Sequence, residues 1–149
     1  MNWVLKKFDE LSIQELYSVL QLRQEVFIIE QNCIYPDLDD KDQDSIHLMC
    51  FDKDNLIAYT RILPPGISYT DPSIGRVVTA PSVRKSGIGK ELMRRTIDHC
   101  ITLYGIIDIT LSAQVYLIKF YESLNFCIVG DIYLEDGIDH IKMTRKASR

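Results

Sequence analysis

Apolar and polar residues alternate along this chain with two periods, one near two residues and one near 3.6. Trp3 to Phe8 reads as a short strand. Ser12-Ile13-Gln14-Glu15 is a capping box that opens a helix, with the serine as cap and the glutamate reaching back. Ile13, Leu16, Leu20 and Phe27 follow at helical spacing, Val19, Leu22 and Val26 widen the stripe, and the helix should end before Gln31. His47–Phe51 and Leu56–Leu63 are strand-like runs around the turn Asp52-Lys53-Asp54-Asn55, hence a hairpin. Residues 64–73 read as one surface loop, and Ile74–Thr79 as a further strand.

A second helix is expected over 87–104, with Met93, Ile97, Ile101 and Tyr104 on one face and Gly105 just past its end. Ile106–Leu111 suits a central strand. Val115–Leu124 carries Tyr116, Phe120 and Leu124 at a spacing of four, a short helix that Asn125 can cap in the left-handed conformation. Phe126–Leu134 and His140–Thr144 flank Glu135-Asp136-Gly137, a strong hairpin signal. The predicted order β-α-ββ-β-α-β-α-ββ implies an α/β protein with a mixed sheet and helices packed against it.

At 149 residues the chain is sized for a single domain, residues 1–149, and 46% hydrophobic content provides for a real core. Disorder is excluded on the same ground. A net charge of −4 disfavours nucleic acid as a partner and mildly favours cationic small molecules. Cys33, Cys50, Cys100 and Cys127 form no CxxC pair, which removes zinc ribbons and thioredoxin-type redox chemistry and suits free buried thiols. The first residues have no signal-peptide pattern, and no apolar run approaches the ~18 residues of a membrane helix. A cytoplasmic protein without a membrane partner is expected, as a monomer or homodimer.

The sharpest local feature is Arg84-Lys85-Ser86-Gly87-Ile88-Gly89-Lys90 between a strand and a helix. Unpaired amides at a helix start, glycines that permit close approach, and three basic side chains suit a diphosphate. A P-loop needs GxxxxGK[ST], but Arg84 stands five before Gly89 and Glu91 follows Lys90. The dinucleotide fingerprint fails at Leu92. What remains is R-x-x-G-x-G.

That motif resembles the phosphate loop of the GNAT acetyltransferases. Other segments resemble the ElaA-like branch of that superfamily over nearly the whole chain: Leu22-Arg23, Val26–Asp37, Asp39, Asp42, His47, Ala58–Leu63, Ile74–Val78, Ala113-Gln114, Phe120-Tyr121 with Phe126, and Tyr133–His140. Asn125 and Thr79 depart from residues common there, glycine and valine.

The resemblance implies a mixed, mostly antiparallel, twisted sheet with a splayed strand pair, flanked by helices. It implies acetyl-CoA as co-substrate, with no metal, and direct transfer of acetyl to a primary amine of a small molecule or peptide. The backbone of Val77, Val78 and Thr79 would pair with the pantetheine arm, and Thr79 N–H would face the thioester carbonyl as oxyanion donor. Arg84, Lys85, Ser86, Gly87, Ile88, Gly89 and Lys90 would cradle the diphosphate, and Gln114 would line the cofactor's path. Tyr121 would bind the cofactor sulfur and protonate the leaving thiolate. Glu30 and His140 are the candidate bases. The alternative is a non-catalytic CoA-binding regulatory module.

The acidic run Asp37–Asp44 fails as an EF-hand loop, since Ser45 and Phe51 stand where glycine and glutamate belong. It reads as a solvated loop, or as a rim that draws a cationic amine, with Tyr35 and Glu30 shaping the acceptor pocket. Arg61 and Arg76 are expected to pair with acids across the sheet.

Overall fold

Turn chemistry cuts the two periods into ten main elements, seen in a computed structural model that describes residues 1–147. They are β1 (Asn2–Lys7), α1 (Ile13–Arg23), β2 (Ile46–Asp52), β3 (Asn55–Leu63), β4 (Ser73–Thr79), α2 (Ile88–Tyr104), β5 (Ile109–Gln114), α3 (Ile118–Glu122), β6 (Phe126–Glu135) and β7 (Ile138–Arg145). This is the predicted order. The strands form one sheet in the order β1-β2-β3-β4-β5-β7-β6. Only β4 and β5 run parallel; the other neighbours are antiparallel.

Alternation along the strands assigns the two faces. Met49 and Tyr59 pack with Val19, Leu22 and Val26 of the first helical segment. Leu48, Cys50 and Ala58 point the other way, onto Ile88 and Leu92 of α2. The largest core lies on that second side, where Met93 and Ile97 of α2 meet Leu111, Tyr121, Phe126 and Met143. The helices thus cover both faces of the sheet.

The capping box forms as expected: Glu15 N–H donates to Ser12 Oγ at 3.0 Å, and Ser12 N–H donates to Glu15 Oε1 at 2.8 Å. The apolar stripe is placed differently. Ile13 is 88% exposed, and the buried line is Val19, Leu22, Arg23 and Val26. Beyond Arg23 the helix widens: Gln31 N–H donates to Val26 O and Cys33 N–H to Ile28 O, each five residues back.

β5 is shifted three residues from Ile106–Leu111. Ile106 and Ile107 belong to the connection after Gly105, and the strand continues through the polar Ser112 and Gln114. The helix expected over Val115–Leu124 is a tight turn at Val115–Leu117 followed by α3, with Tyr116 outside the buried face. Asn125 has φ 71°, the left-handed cap. Cys50 and Cys100 are buried, but Cys127 is exposed, so not every thiol is a core residue.

β4 holds a bulge that hydrophobic alternation does not announce. Its register slips against β3 between Tyr59 and Arg61, and Arg76 takes φ 51°. One extra residue reverses the facing of the residues after it. Ile74 and Val77 thereby share the α2 side, while Val78 packs beneath α1.

Candidate active site

β4 and β5 meet at one register pair, Ser73 with Thr110, and Thr110 N–H donates to Pro72 O at 3.1 Å. Beyond that point the two strands part. The opening is continuous with a cavity of about 830 Å³. Val77, Val78, Thr79, Arg84, Gly89, Gln114, Tyr121, Glu30 and His140 all line it.

Backbone register decides which β4 amides face the opening. Ala80 N–H donates to Ile57 O at 2.8 Å, so Ala58 and Thr79 form the wide, non-bonded pair of the antiparallel ladder. Thr79 N–H and C=O therefore turn away from β3, toward the parted side. Val78 belongs to the bonded pair with Tyr59, so its amide is turned to β3 and only its side chain serves the site.

The glycine-rich segment sits where β4 gives way to α2. Gly87 precedes α2 with φ 87°, a conformation that disfavours any side chain, and nothing lies within 4 Å of where a Cβ would be. The first bond back into the helix is Glu91 N–H to Gly87 O, leaving the Ile88, Gly89 and Lys90 amides at the open helix end. Lys85, Ser86 and Lys90 are exposed around it, and the Ser86 hydroxyl donates to Val83 O. The Ile88 side chain is buried beneath α2, so this residue offers only its backbone.

Arg84 and Glu30 are joined directly. Two parallel hydrogen bonds of 2.7 and 2.6 Å link the guanidinium to both carboxylate oxygens. The Arg84 hydrogen bonds hold the Glu30 carboxyl below its ordinary range.

Tyr121 comes from α3, is 5% exposed, and is set edge-on between Phe120 and Phe126 at 5.2 and 6.0 Å. Burial, followed by the nearby Tyr116, raises its phenol well above the usual value. Gln114 and Gln31 share an amide contact at 3.4 Å across the cavity wall.

His140 lies opposite Gln114 on β7. Its Nδ1 donates to Ile138 O at 2.8 Å, its ring stacks on Tyr133, and its Nε2 stands 3.3 Å from Glu135 Oε2. The Ser112 hydroxyl contacts both Tyr133 OH and Glu135 Oε1. Ser112 and Glu135 were missed in the sequence; alternation from Gln114 along β5 would have placed Ser112 on the same face.

The acidic run is a solvated loop only in part: Leu38, Asp40, Gln43 and Asp44 are exposed, while Asp37, Asp39 and Asp42 are held by arginines and are no free cationic lure. Arg23 donates to Asp37 and Asp42 at 2.9 and 2.8 Å, Arg61 to Asp39 and Asp42, and Arg76 to Asp37 and Asp39. Arg61 and Arg76 thus pair with loop acids, not with acids across the sheet. Burial opposes the charge on Asp39 and Asp42, but the arginines outweigh it and keep both carboxyls low. Among the described residues no group of His, Cys, Asp and Glu side chains is arranged to hold a metal ion.

A parted parallel pair, a glycine-rich helix start and a buried phenol in one cavity are the layout of an acyl-CoA N-acyltransferase fold. The crystal structure of an acyl-CoA N-acyltransferase from Pseudomonas aeruginosa superposes with TM-score 0.92 at 39% identity, covering 97% of this chain and 99% of the other. That of Escherichia coli ElaA gives 0.92 at 38%, covering 98% and 100%. The Protein ElaA sequence of E. coli K12 is 38% identical over 148 residues, 98% of this chain and 97% of its own. The acetyltransferase (GNAT) domain matches residues 9–147, and the chain belongs to that family.

Proposed function

We propose that residues 1–149 form one acetyl-CoA-dependent N-acetyltransferase domain that transfers acetyl directly to a primary amine. The observation that carries this reading is the Thr79 amide, turned toward the parted side of β4 in the cavity that Tyr121 also lines. The diphosphate sits at the Arg84–Lys90 segment on the α2 amides and basic side chains. The pantetheine arm runs along the open side of Val77–Thr79, past Gln114.

The amine nitrogen then attacks the thioester carbonyl carbon. Negative charge developing on the carbonyl oxygen meets Thr79 N–H. As the C–S bond breaks, Tyr121 gives its proton to the thiolate, and the proton that the nitrogen sheds as the amide forms makes good the one the phenol gave; burial keeps the phenol protonated until that moment. The ammonium proton must leave beforehand. Glu30 is tied to Arg84, whereas His140 is fixed by Ile138 O with Nε2 toward Glu135, so His140 is the base this geometry favours. Holding both reactants in one cavity supplies much of the rate. No helix among the described residues is long and apolar enough to cross a membrane, which suits a cytoplasmic enzyme.

Calorimetric titration with acetyl-CoA, followed by thiol release in a primary-amine screen, tests the reading. Micromolar binding and amine-dependent thiol release are expected; no binding defeats it. Gly87→Asp should lose acetyl-CoA binding, while Gly87→Ala, which shares the backbone strain but adds no charge, should retain most of it.

A further inference from the structure

On the α1 side the cavity ends among hydrogen-bond donors that the transfer chemistry does not use. Register sets Arg61 opposite Gly75 and Leu63 opposite Ser73, so Arg61 and Ser73 share one face around a residue without a side chain. A Cβ on Gly75 would stand 4.0 Å from Arg61 Nη2. Lys41 reaches the same end. Its amide donates to Asp39 Oδ1 at 3.1 Å, and its ammonium donates to Ser68 Oγ at 2.9 Å, a neutral partner that leaves the charge uncancelled. The charged side chains lining this end are Lys41, Arg61, Arg76 and Asp39; Arg61 and Arg76 are already matched by Asp37, Asp39 and Asp42, so Lys41 is the cation that has no carboxylate partner among the described residues. Independently, Arg61 Nε and Ser73 Oγ are buried without any hydrogen-bond partner, though both residues line the cavity. An unmatched buried donor is hydrogen-bonding capacity that the protein itself leaves unused.

We propose that this end is an acceptor subsite: it receives a carboxylate on the amine substrate, held by Lys41 and backed by Arg61 and Ser73. The inference rests on the acetyl-transfer reading and names its acceptor class, an amine that carries a carboxylate at its far end. Ser73 marks the closed end of the β4–β5 opening, and Thr79 lies six residues further along β4. At ~3.3 Å per residue that is roughly 20 Å along the strand, shortened by the bulge and by the reach of Lys41. The preferred acceptor is therefore extended, with its amine and carboxylate well apart.

Two pairs of probes test this: 8-aminooctanoate against 8-aminooctan-1-ol, and 4-aminobutanoate against 4-aminobutan-1-ol. Binding to the CoA-saturated protein is measured by calorimetry, and turnover by thiol release. The long carboxylate should outbind its alcohol by about tenfold or more, and the short pair should differ less. Lys41→Met should shrink the long-pair ratio to within about threefold, and Lys41→Arg should restore it. A wild-type ratio near one, or a ratio that survives Lys41→Met, overturns the subsite. If the protein binds no acetyl-CoA, the transfer reading fails separately, and the same probe ratio is then read on the protein without CoA.

Discussion

Arg84 clasps Glu30 in a two-pronged ion pair between the end of the first helical segment and the glycine-rich segment, with both contacts under 2.8 Å. The arginine assigned to the diphosphate and the carboxylate considered as a base are therefore partners. Both side chains are exposed, so the pair is worth only about 0.2–1 kcal/mol. A diphosphate can outcompete it. Glu30→Gln should tighten acetyl-CoA binding by about two- to fivefold, measured by calorimetry at low salt. Weaker binding in the variant would place Glu30 in support of the loop instead of in competition for it.

Arg23 is fully buried in the helix stripe, and it stays charged because Asp37 and Asp42 meet it. Removing one carboxylate strands buried positive charge, which costs about 3–5 kcal/mol. Each acid serves two arginines, but Asp42 serves Arg23 and Arg61, the two most buried, whereas Asp37 and Asp39 each share the more exposed Arg76, so Asp42→Asn should be the most damaging single change in the cluster. A fall in Tm of about 10 °C is expected for a chain of this size. Loss of only a degree or two would mean that the arginines find water on their own.

His47 gives the fold a second sensitivity to acid. Its Nδ1 contacts Tyr59 OH at 2.6 Å and its Nε2 the Asp42 carbonyl at 3.0 Å. Burial pushes its pKa down; the Asp42 carbonyl and carboxylate pull it partly back, and Arg23 and Arg61 push it further down. The folded protein thus binds this proton less readily than the unfolded chain. Stability is full above ~6.5 and is lost as pH falls toward the folded value. Asp39 and Asp42 act in a lower window: their contribution is present above ~3.9 and disappears only as pH drops through their depressed values. His99 shares the direction of His47, also through burial. Urea midpoints at about pH 7.5 and about pH 5.5 should therefore differ in the natural protein, and His47→Gln should narrow the gap. An unchanged gap would assign the acid sensitivity elsewhere.

Local chemistry was the legible part of the fold. Ser12 with Glu15, Asn125, and the Asp136-Gly137 turn each announce their conformation in a few residues, and the structure places them accordingly. Longer-range features left weaker traces. Arg23 sits in an apolar stripe and reads as an interruption, because its partners lie 14 and 19 residues away. The bulge at Arg76 uses an arginine with positive φ where glycine would have signalled it, and it alone turns Val78 beneath α1. β5 was misplaced for a functional reason: Ser112 and Gln114 face the cavity, so the strand's polar residues hide its second half. The glycine-rich segment was readable as chemistry, but the opening beside it is made by two strands meeting only at Ser73 and Thr110, which no periodicity records.

Tyr121 offers the cleanest separation of binding from chemistry. Its ring is packed on Phe120 and Phe126 and belongs to the main core, so Tyr121→Phe keeps the shape and removes one hydroxyl. Burial holds the phenol protonated across the neutral range, which suits a group that donates only when a thiolate develops. Losing a positioned acid typically slows a reaction by about a hundredfold or more. The expected result is a kcat lowered by about that factor, with acetyl-CoA affinity changed less than about threefold. Were the role purely packing, kcat would hold and the melting temperature would move instead. A thermal melt of the same variant, run beside the kinetics, decides between the two.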